Sequence, residues 1–347
     1  MKVVVTGGAG FIGTAVLRSL AGSGDEVVVV DSLRPDVHAD GGAGARERVA
    51  SLGARLVEAD VRDLAAVHEQ LRGVDAVVHL AAKVGLGVDL DDMDDYVSSN
   101  SLGTATVLRA CHLAGVRRVV QASSMVVYGE GAYRCHLDGA VAPSPRTPER
   151  LSSGEFEPVC PHCGADLDPA LVDEGAPMDP RNTYAATKVA QEQLASVWAR
   201  ETGGTCTSLR LHNVYGPGMP RATPYAGVAA IFWSAAAEGQ SPQVFEDGGQ
   251  RRDFVHVDDV AMAFVAALSR DGGGHAAYNV GSGAVHTIGD LATELASLAG
   301  GPDPTVTGRY RLGDVRHITA SSDRAARELG WRATRSLRTG LRNLSFS

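Results

Sequence analysis

An apolar, β-branched run, Val3-Val-Val-Thr6, is followed at once by Gly7-Gly-Ala-Gly-Phe-Ile-Gly13, and helical apolar spacing begins at Phe11. A strand that turns on glycines straight into a helix opens a strand–helix–strand unit and points to a parallel α/β fold. Three of the turn's four glycines have separate duties. Gly7 permits the tight turn, Gly10 lets a pyrophosphate approach the backbone, and Gly13 lets helix and strand pack closely. Phe11 and Ile12 open the helix whose N-terminal N–H groups face the anion.

The same alternation continues. Residues 27–30, 55–59, 76–80, 118–123 and 208–211 read as strands, and 11–20, 64–71, 95–114 and 182–201 as helices. Apolar strands separated by helices are buried on both faces, which predicts a doubly wound parallel sheet of the Rossmann type. Asp31 ends the second strand about 20 residues after the turn, and Ser32 follows it. A carboxylate there accepts the adenosine ribose hydroxyls and repels a 2′-phosphate, which favours NAD over NADP. Arg34 argues the other way, since it is near enough to reach such a phosphate. Asp60 and Val61 follow the third strand, where an adenine edge would lie; a helix cap is the competing role for Asp60.

Tyr184-Ala-Ala-Thr-Lys188 places a phenol and an ammonium four residues apart on one helix face. The ammonium is expected to lower the phenol's pKa and make it a proton carrier. Together with a dinucleotide, the pair removes a proton from a hydroxyl and a hydride from the carbon bearing it.

The net charge of −9 over 347 residues argues against a nucleic-acid partner. Neither a secretory signal nor a membrane-spanning run is visible, so no membrane association and a cytoplasmic location are expected. The five cysteines are then reduced, and a cluster of them reads as a metal site. Residues 130–177 interrupt the pattern with Pro, Gly and charge. Within them, Cys160-Pro-His-Cys163 has zinc-knuckle spacing, and Cys135-His-Leu-Asp138 offers a second arm. Three cysteines with Asp138, His136 or His162 would bind a structural zinc, and the folded insertion is expected to cover the sugar site. Cys111 and Cys206 read as core residues.

Across nearly the whole chain outside 130–177, ordered motifs carry a further resemblance. They are T-G-G-A-G-F-I-G (6–13), H-L-A-A (79–82), Asn100 with Gly103-Thr104, and S-S-M-V-V-Y-G (123–129). Y-A-A-T-K (184–188), L-R-L-H-N-V-Y-G-P-G (209–218), R-D-F-V-H-V-D-D (252–259) and R-L-G-D (311–314) complete the series. The chain resembles the extended short-chain dehydrogenase/reductases of the NAD-dependent nucleotide-sugar epimerase/dehydratase family. The resemblance implies that Ser124 bonds the reacting sugar oxygen and Tyr184 is the acid/base. Lys188 would hold the nicotinamide ribose and polarise Tyr184. Leu80, Ala81 and Ala82 would border the cofactor, and Asn100 would tie the backbone beside the site. Asn213, Arg252 (or Arg251), Arg311 and Asp314 would contact the nucleotide sugar. Lys83 and Met125 would border the sugar, with Gly85 and Gly87 leaving it room to turn.

The family's dehydratases carry Asp-Glu after the serine; here Met125 and Val126 stand there and cannot move protons. The implied reaction is therefore 4-epimerisation through a 4-keto intermediate, on a dTDP-deoxyhexose in preference to a UDP- or GDP-sugar. A 4-ketoreductase or oxidase, a UDP-glucuronate decarboxylase, and a non-catalytic NAD-sensing module are the competing readings. The expected layout is a Rossmann domain from 1–129 and 178–215, the insertion at 130–177, and a mainly substrate-binding region at 216–347 with segments returning to the core. A homodimer through the helices near 95–114 and 183–200 is implied by the resemblance.

Overall fold

The computed structural model describes residues 1–38, 40–85, 90–220 and 227–344. Seven strands form one parallel sheet: β1 (Lys2–Thr6), β2 (Glu26–Asp31), β3 (Arg55–Glu58), β4 (Ala76–His79), β5 (Arg118–Ser124), β6 (Thr205–Leu211) and β7 (Gly274–Val280). Their order is β7-β6-β5-β4-β1-β2-β3. Helices on both faces explain why β1, β2 and β4 are apolar through their centres. Val3, Val5, Val27, Val29 and Val78 pack on the helices Phe11–Gly22 and Val257–Leu268. Val4, Val28, Val77 and Val119 face the helices Leu64–Gln70, Gly103–Ala114 and Thr183–Thr202. Alternation of pleat direction thus divides each strand between two cores.

Strand order reverses beside β1, whose neighbours are β2 and β4. Loops leaving β1 and β4 therefore diverge and open a crevice at the C-terminal sheet edge. The expected helix at 95–114 is not regular. A turn at Leu90–Asp92 and a short helix Met93–Tyr96 lead into a π-helical stretch, Val97–Leu102, before Gly103–Ala114. Such wide turns recur beside functional sites, and this one carries Asn100.

The helix Ala43–Ser51, which connects β2 to β3, lies outside the sequence expectation, and β7, not read as a strand from the sequence, is a segment of 216–347 that returns to the sheet. Much of the rest of that region, apart from the helix Val257–Leu268, is a smaller layer. Strands Asn213–Tyr215, Arg251–His256 and Val285–Thr287 pair there, and His317–Ile318 joins Arg251–Arg252. Tyr215, Phe232, Phe254, Leu291 and Leu295 form its core.

The insertion is ordered. Ala132–Cys135 pairs antiparallel with Gly139–Val141 and with Asp168–Ala170. It docks on the substrate region rather than over the crevice. Arg146 bonds buried Glu246 at 2.8 Å and the Asp314 carbonyl at 2.6 Å. Glu157 bonds Arg316 at 2.6 Å and His317 at 2.8 Å. Val172 exchanges backbone hydrogen bonds with Thr319 and Ser321.

Candidate active site

The glycine turn leaves β1 for the helix Phe11–Gly22. Gly7 has φ +69°, and a Cβ there would lie 2.6 Å from the Ala81 nitrogen, so both conformation and crowding demand glycine. A Cβ on Gly13 would lie 2.5 Å from the Gly7 carbonyl oxygen. Gly10 is different. Its φ of −75° suits any residue, and a Cβ would meet nothing closer than the Gly7 oxygen at 3.4 Å. The fold does not need a glycine at position 10. No side chain caps this helix, so the N–H groups at its start remain available to an anion.

Asp31 is half-buried at the end of β2. Its carboxylate accepts from the Ala9 and Leu33 N–H groups at 3.1 and 3.0 Å, which aims it across the crevice. Arg34 is held by Asp36 at 3.1 Å and Asp95 at 2.9 Å, so its guanidinium is committed to two carboxylates. Asp60 pairs with Arg62 at 2.6 Å. The helix cap after β3 is Asp63, which accepts from the Ala65 and Ala66 N–H groups, so capping is not the duty of Asp60.

Ser124 ends β5 and starts a tight turn, accepting from the Val126 N–H at 3.4 Å. Asn182 caps the helix Thr183–Thr202 by accepting from Ala185 N–H, which places Tyr184 and Lys188 on its first turns. Burial pushes the Tyr184 phenol up to about 12, and a hydrogen bond with Ser124 acts the other way. This corrects the expectation that Lys188 lowers it. The Lys188 ammonium donates to the Ala122 carbonyl at 2.9 Å, and burial pulls it down to about 8.

Asn100 locks the adjoining backbone. Its side-chain oxygen accepts from the Lys83 N–H at 2.7 Å, and its amide donates to the Lys83 carbonyl and the Thr187 hydroxyl, both at 2.9 Å. The Lys83 side chain is 5% exposed, and its ammonium bonds Asp92 and Asp95 at 2.9 and 2.8 Å. It therefore serves local ion pairs. Gly87 lies outside the described residues.

These parts enclose a cleft of about 400 Å³. Gly7, Gly10, Phe11, Ile12, Gly13, Asp31, Ser32, Asp60, Val61, Leu80, Ala81, Ala82, Lys83, Ser124, Tyr184 and Lys188 all line it. Sequence reasoning missed Ala122, Leu211, His212, Val214, Met219 and Pro220, which also line it. Ala122 and Leu211 were findable, because both sit at the C-terminal ends of neighbouring strands.

Several expected substrate contacts stand apart. Met125 packs against the Val127, Tyr128, Val172 and Ile318 cluster. Arg252 donates to the Val315 and Arg316 carbonyls at 2.7 and 2.9 Å. Arg311 lies over the Phe245 ring. Burial raises the Asp314 carboxyl, while Arg252 and Arg311 oppose the shift. These three belong to one charged patch on the substrate region. Asn213 has a buried side-chain oxygen without a partner among the described residues. No described residue of 130–177 lines the cleft.

In the insertion, Cys135, Asp138, Cys160 and Cys163 bring four donor atoms within 4.8 Å of one another. Cys135 and Cys163 sulfurs are 3.6 Å apart, and Asp138 lies 3.5 and 3.2 Å from the Cys135 and Cys160 sulfurs. A tetrahedral zinc with Zn–S of ~2.3 Å separates its ligand atoms by ~3.5–3.8 Å. The donor set fits that ion, with Asp138 rather than either histidine in the fourth place.

The order of the sheet and the cleft at its switch point define a dinucleotide-binding Rossmann fold. Residues 3–281 match the NAD-dependent epimerase/dehydratase family, and the chain belongs to it. The chain is 36% identical to a dTDP-L-rhamnose 4-epimerase of Burkholderia thailandensis, over 99% of this chain and 93% of that one. It resembles the UDP-glucose 4-epimerase of Thermotoga maritima solved with UDP-glucose, at TM-score 0.79 and 29% identity, covering 99% and 96%. It also resembles the Thermus thermophilus UDP-glucose 4-epimerase complexed with NAD, at TM-score 0.77 and 30% identity, covering 99% and 97%. Among the described residues, no helix is long and apolar enough to cross a membrane.

Proposed function

We propose that the protein epimerises the 4-position of a nucleotide-activated sugar, with a dTDP-deoxyhexose as its substrate and NAD as a resident cofactor. The observation that carries this reading is the convergence of Ser124, Tyr184 and Lys188 on one cleft with the glycine turn. Gly10 fits a pyrophosphate against the backbone, Asp31 fits ribose hydroxyls, and the paired Arg34 favours NAD over NADP. When bound, NAD supplies the reversible hydride acceptor that sugar oxidation requires. Ser124 orients the 4-hydroxyl, and Tyr184 accepts its proton and later returns it. Lys188, fixed by the Ala122 carbonyl, holds the nicotinamide ribose. Met125 and Val126 provide no acid or base for loss of water, which separates this site from a 4,6-dehydratase.

The relative named a dTDP-L-rhamnose 4-epimerase supports the choice of dTDP. The likeness to UDP-glucose 4-epimerases keeps UDP-sugars in the test. The protein, incubated with dTDP-, UDP- and GDP-sugars and followed by NMR, is expected to invert C4 without added nicotinamide cofactor. Stoichiometric consumption of external NADPH would instead make it a ketoreductase.

Two assembly features accompany the reading. The Cys135, Asp138, Cys160 and Cys163 set binds a structural zinc. The chain pairs as a homodimer; exposed Val97, Leu102, Leu113 and Val197 on the helical stretches named above support that face. Light scattering that gives a monomer mass would remove the dimer.

A further inference from the structure

One cleft residue carries chemistry that the proton-transfer set does not use. His212 follows β6, is 3% exposed, and lines the cleft. Its backbone N–H donates to the Val280 carbonyl at 3.0 Å, which pins the residue beside the end of β7. Neither Nδ1 nor Nε2 has a hydrogen-bond partner among the described residues. Other buried histidines contrast with it. His79 bonds the Thr6 and Thr104 hydroxyls at 2.7 and 2.9 Å, and His317 bonds the Arg251 N–H and Glu157. Native interiors rarely leave a buried ring with both nitrogens orphaned, because each carries its full desolvation cost.

Burial pulls the His212 ring down to about 4, with Asp253 acting the other way. The ring is therefore neutral at physiological pH and presents one donor and one acceptor. Its place narrows what can meet it. Leu211 is the strand partner of Ser124, so His212 stands one residue beyond the reacting end of the cleft. The side-chain oxygen of the next residue, Asn213, is orphaned as well. A hydroxyl, which both donates and accepts, is the natural complement of a neutral imidazole.

We propose that His212 is a specificity residue that hydrogen-bonds a hydroxyl of the sugar ring, an assignment resting on the nucleotide-sugar reading above. His212→Phe keeps an aromatic ring in the space and deletes both nitrogens. Calorimetric titration uses dTDP-L-rhamnose and UDP-glucose, each beside bare dTDP or UDP. For the sugar that the wild-type protein binds, the variant is expected to lose ~10-fold or more in affinity. Affinity for the bare nucleotide should change less than ~2-fold, NAD content should be unchanged, and the Tm should hold or rise because two orphaned atoms are gone. His212→Gln, which restores a donor and an acceptor, should recover part of the loss.

Equal losses for sugar and bare nucleotide overturn the assignment. So does a fall in Tm with sugar affinity intact, which would make His212 structural, and so does loss of NAD. A wild-type protein that binds neither sugar overturns the substrate reading and the assignment together, whereas failure confined to the variant overturns His212 alone.

Discussion

Lys188 and Tyr184 stand one helical turn apart, the ammonium 5.7 Å from the centroid of the phenol ring and bonded to the Ala122 carbonyl at 2.9 Å. Burial dominates both groups, pushing the phenol up to about 12 and the amine down to about 8. Among the influences on the phenol, the one that eases proton loss is the hydrogen bond with Ser124. The serine thus acts electrostatically on the phenol.

Replacing Tyr184 by Phe should leave NAD content and nucleotide-sugar affinity intact while turnover drops ~10²–10⁴-fold. Single-turnover kinetics beside a cofactor assay checks this. Turnover near the wild-type rate would remove Tyr184 as the acid/base.

Lys188 has a folded-state pKa of about 8 against 10.5 unfolded, so between those values the unfolded chain binds more protons. Its effect on stability is therefore unfavourable below pH 8 and fades as the pH climbs to 10.5. Lys188→Met should be more stable than the parent at pH 7, and the gap should close toward pH 10.5. Denaturant melts across that range test it; a constant gap would mean the ammonium is not destabilised by burial.

Gly10→Ala and Gly13→Ala should separate ligand binding from folding. The Gly10 Cβ meets only an oxygen at 3.4 Å, whereas the Gly13 Cβ meets one at 2.5 Å. Gly10→Ala is expected to keep its Tm within a few degrees and to lose NAD affinity; Gly13→Ala should lower the Tm. The reverse pattern in thermal melts would show that Gly10 serves packing.

Elemental analysis of purified protein should find about one zinc per chain, held by three thiolates and Asp138. Cys163→Ser should lose the metal and lower the Tm, since such ions contribute their binding energy to folding. Metal-free protein of unchanged stability would leave the four donors as a hydrogen-bonded cluster.

The Rossmann half was legible because its signals are local. The valine runs of β1 and β2 and the glycines between them need no distant partner to be read. β7 was hidden for the opposite reason. Gly-His-Ala-Ala-Tyr-Asn-Val has little β-branching, and it becomes a strand by pairing with β6 far earlier in the chain. The helix Ala43–Ser51 buries only Ala45 and Val49, too few for a clear apolar stripe.

The site divides similarly. Residues inside short motifs, such as Tyr184 and Lys188, are visible at once, while nothing in L-R-L-H-N-V-Y-G-P-G (209–218) singles out His212. Its meaning depends on which atoms lack partners, and that is a property of the folded interior. Arg252 was assigned to phosphate by motif alone, yet its guanidinium reaches the Val315 and Arg316 carbonyls. Spacing cannot reveal where a long side chain turns.

Most of the sequence between Ser124 and Tyr184 is the cysteine-bearing segment, so these two side chains meet only when a long connection closes on itself. Drawing Cys135 against Cys163 ties off much of that connection. The tether that remains is shorter, and less chain entropy is surrendered when the hydroxyl and the phenol are brought together.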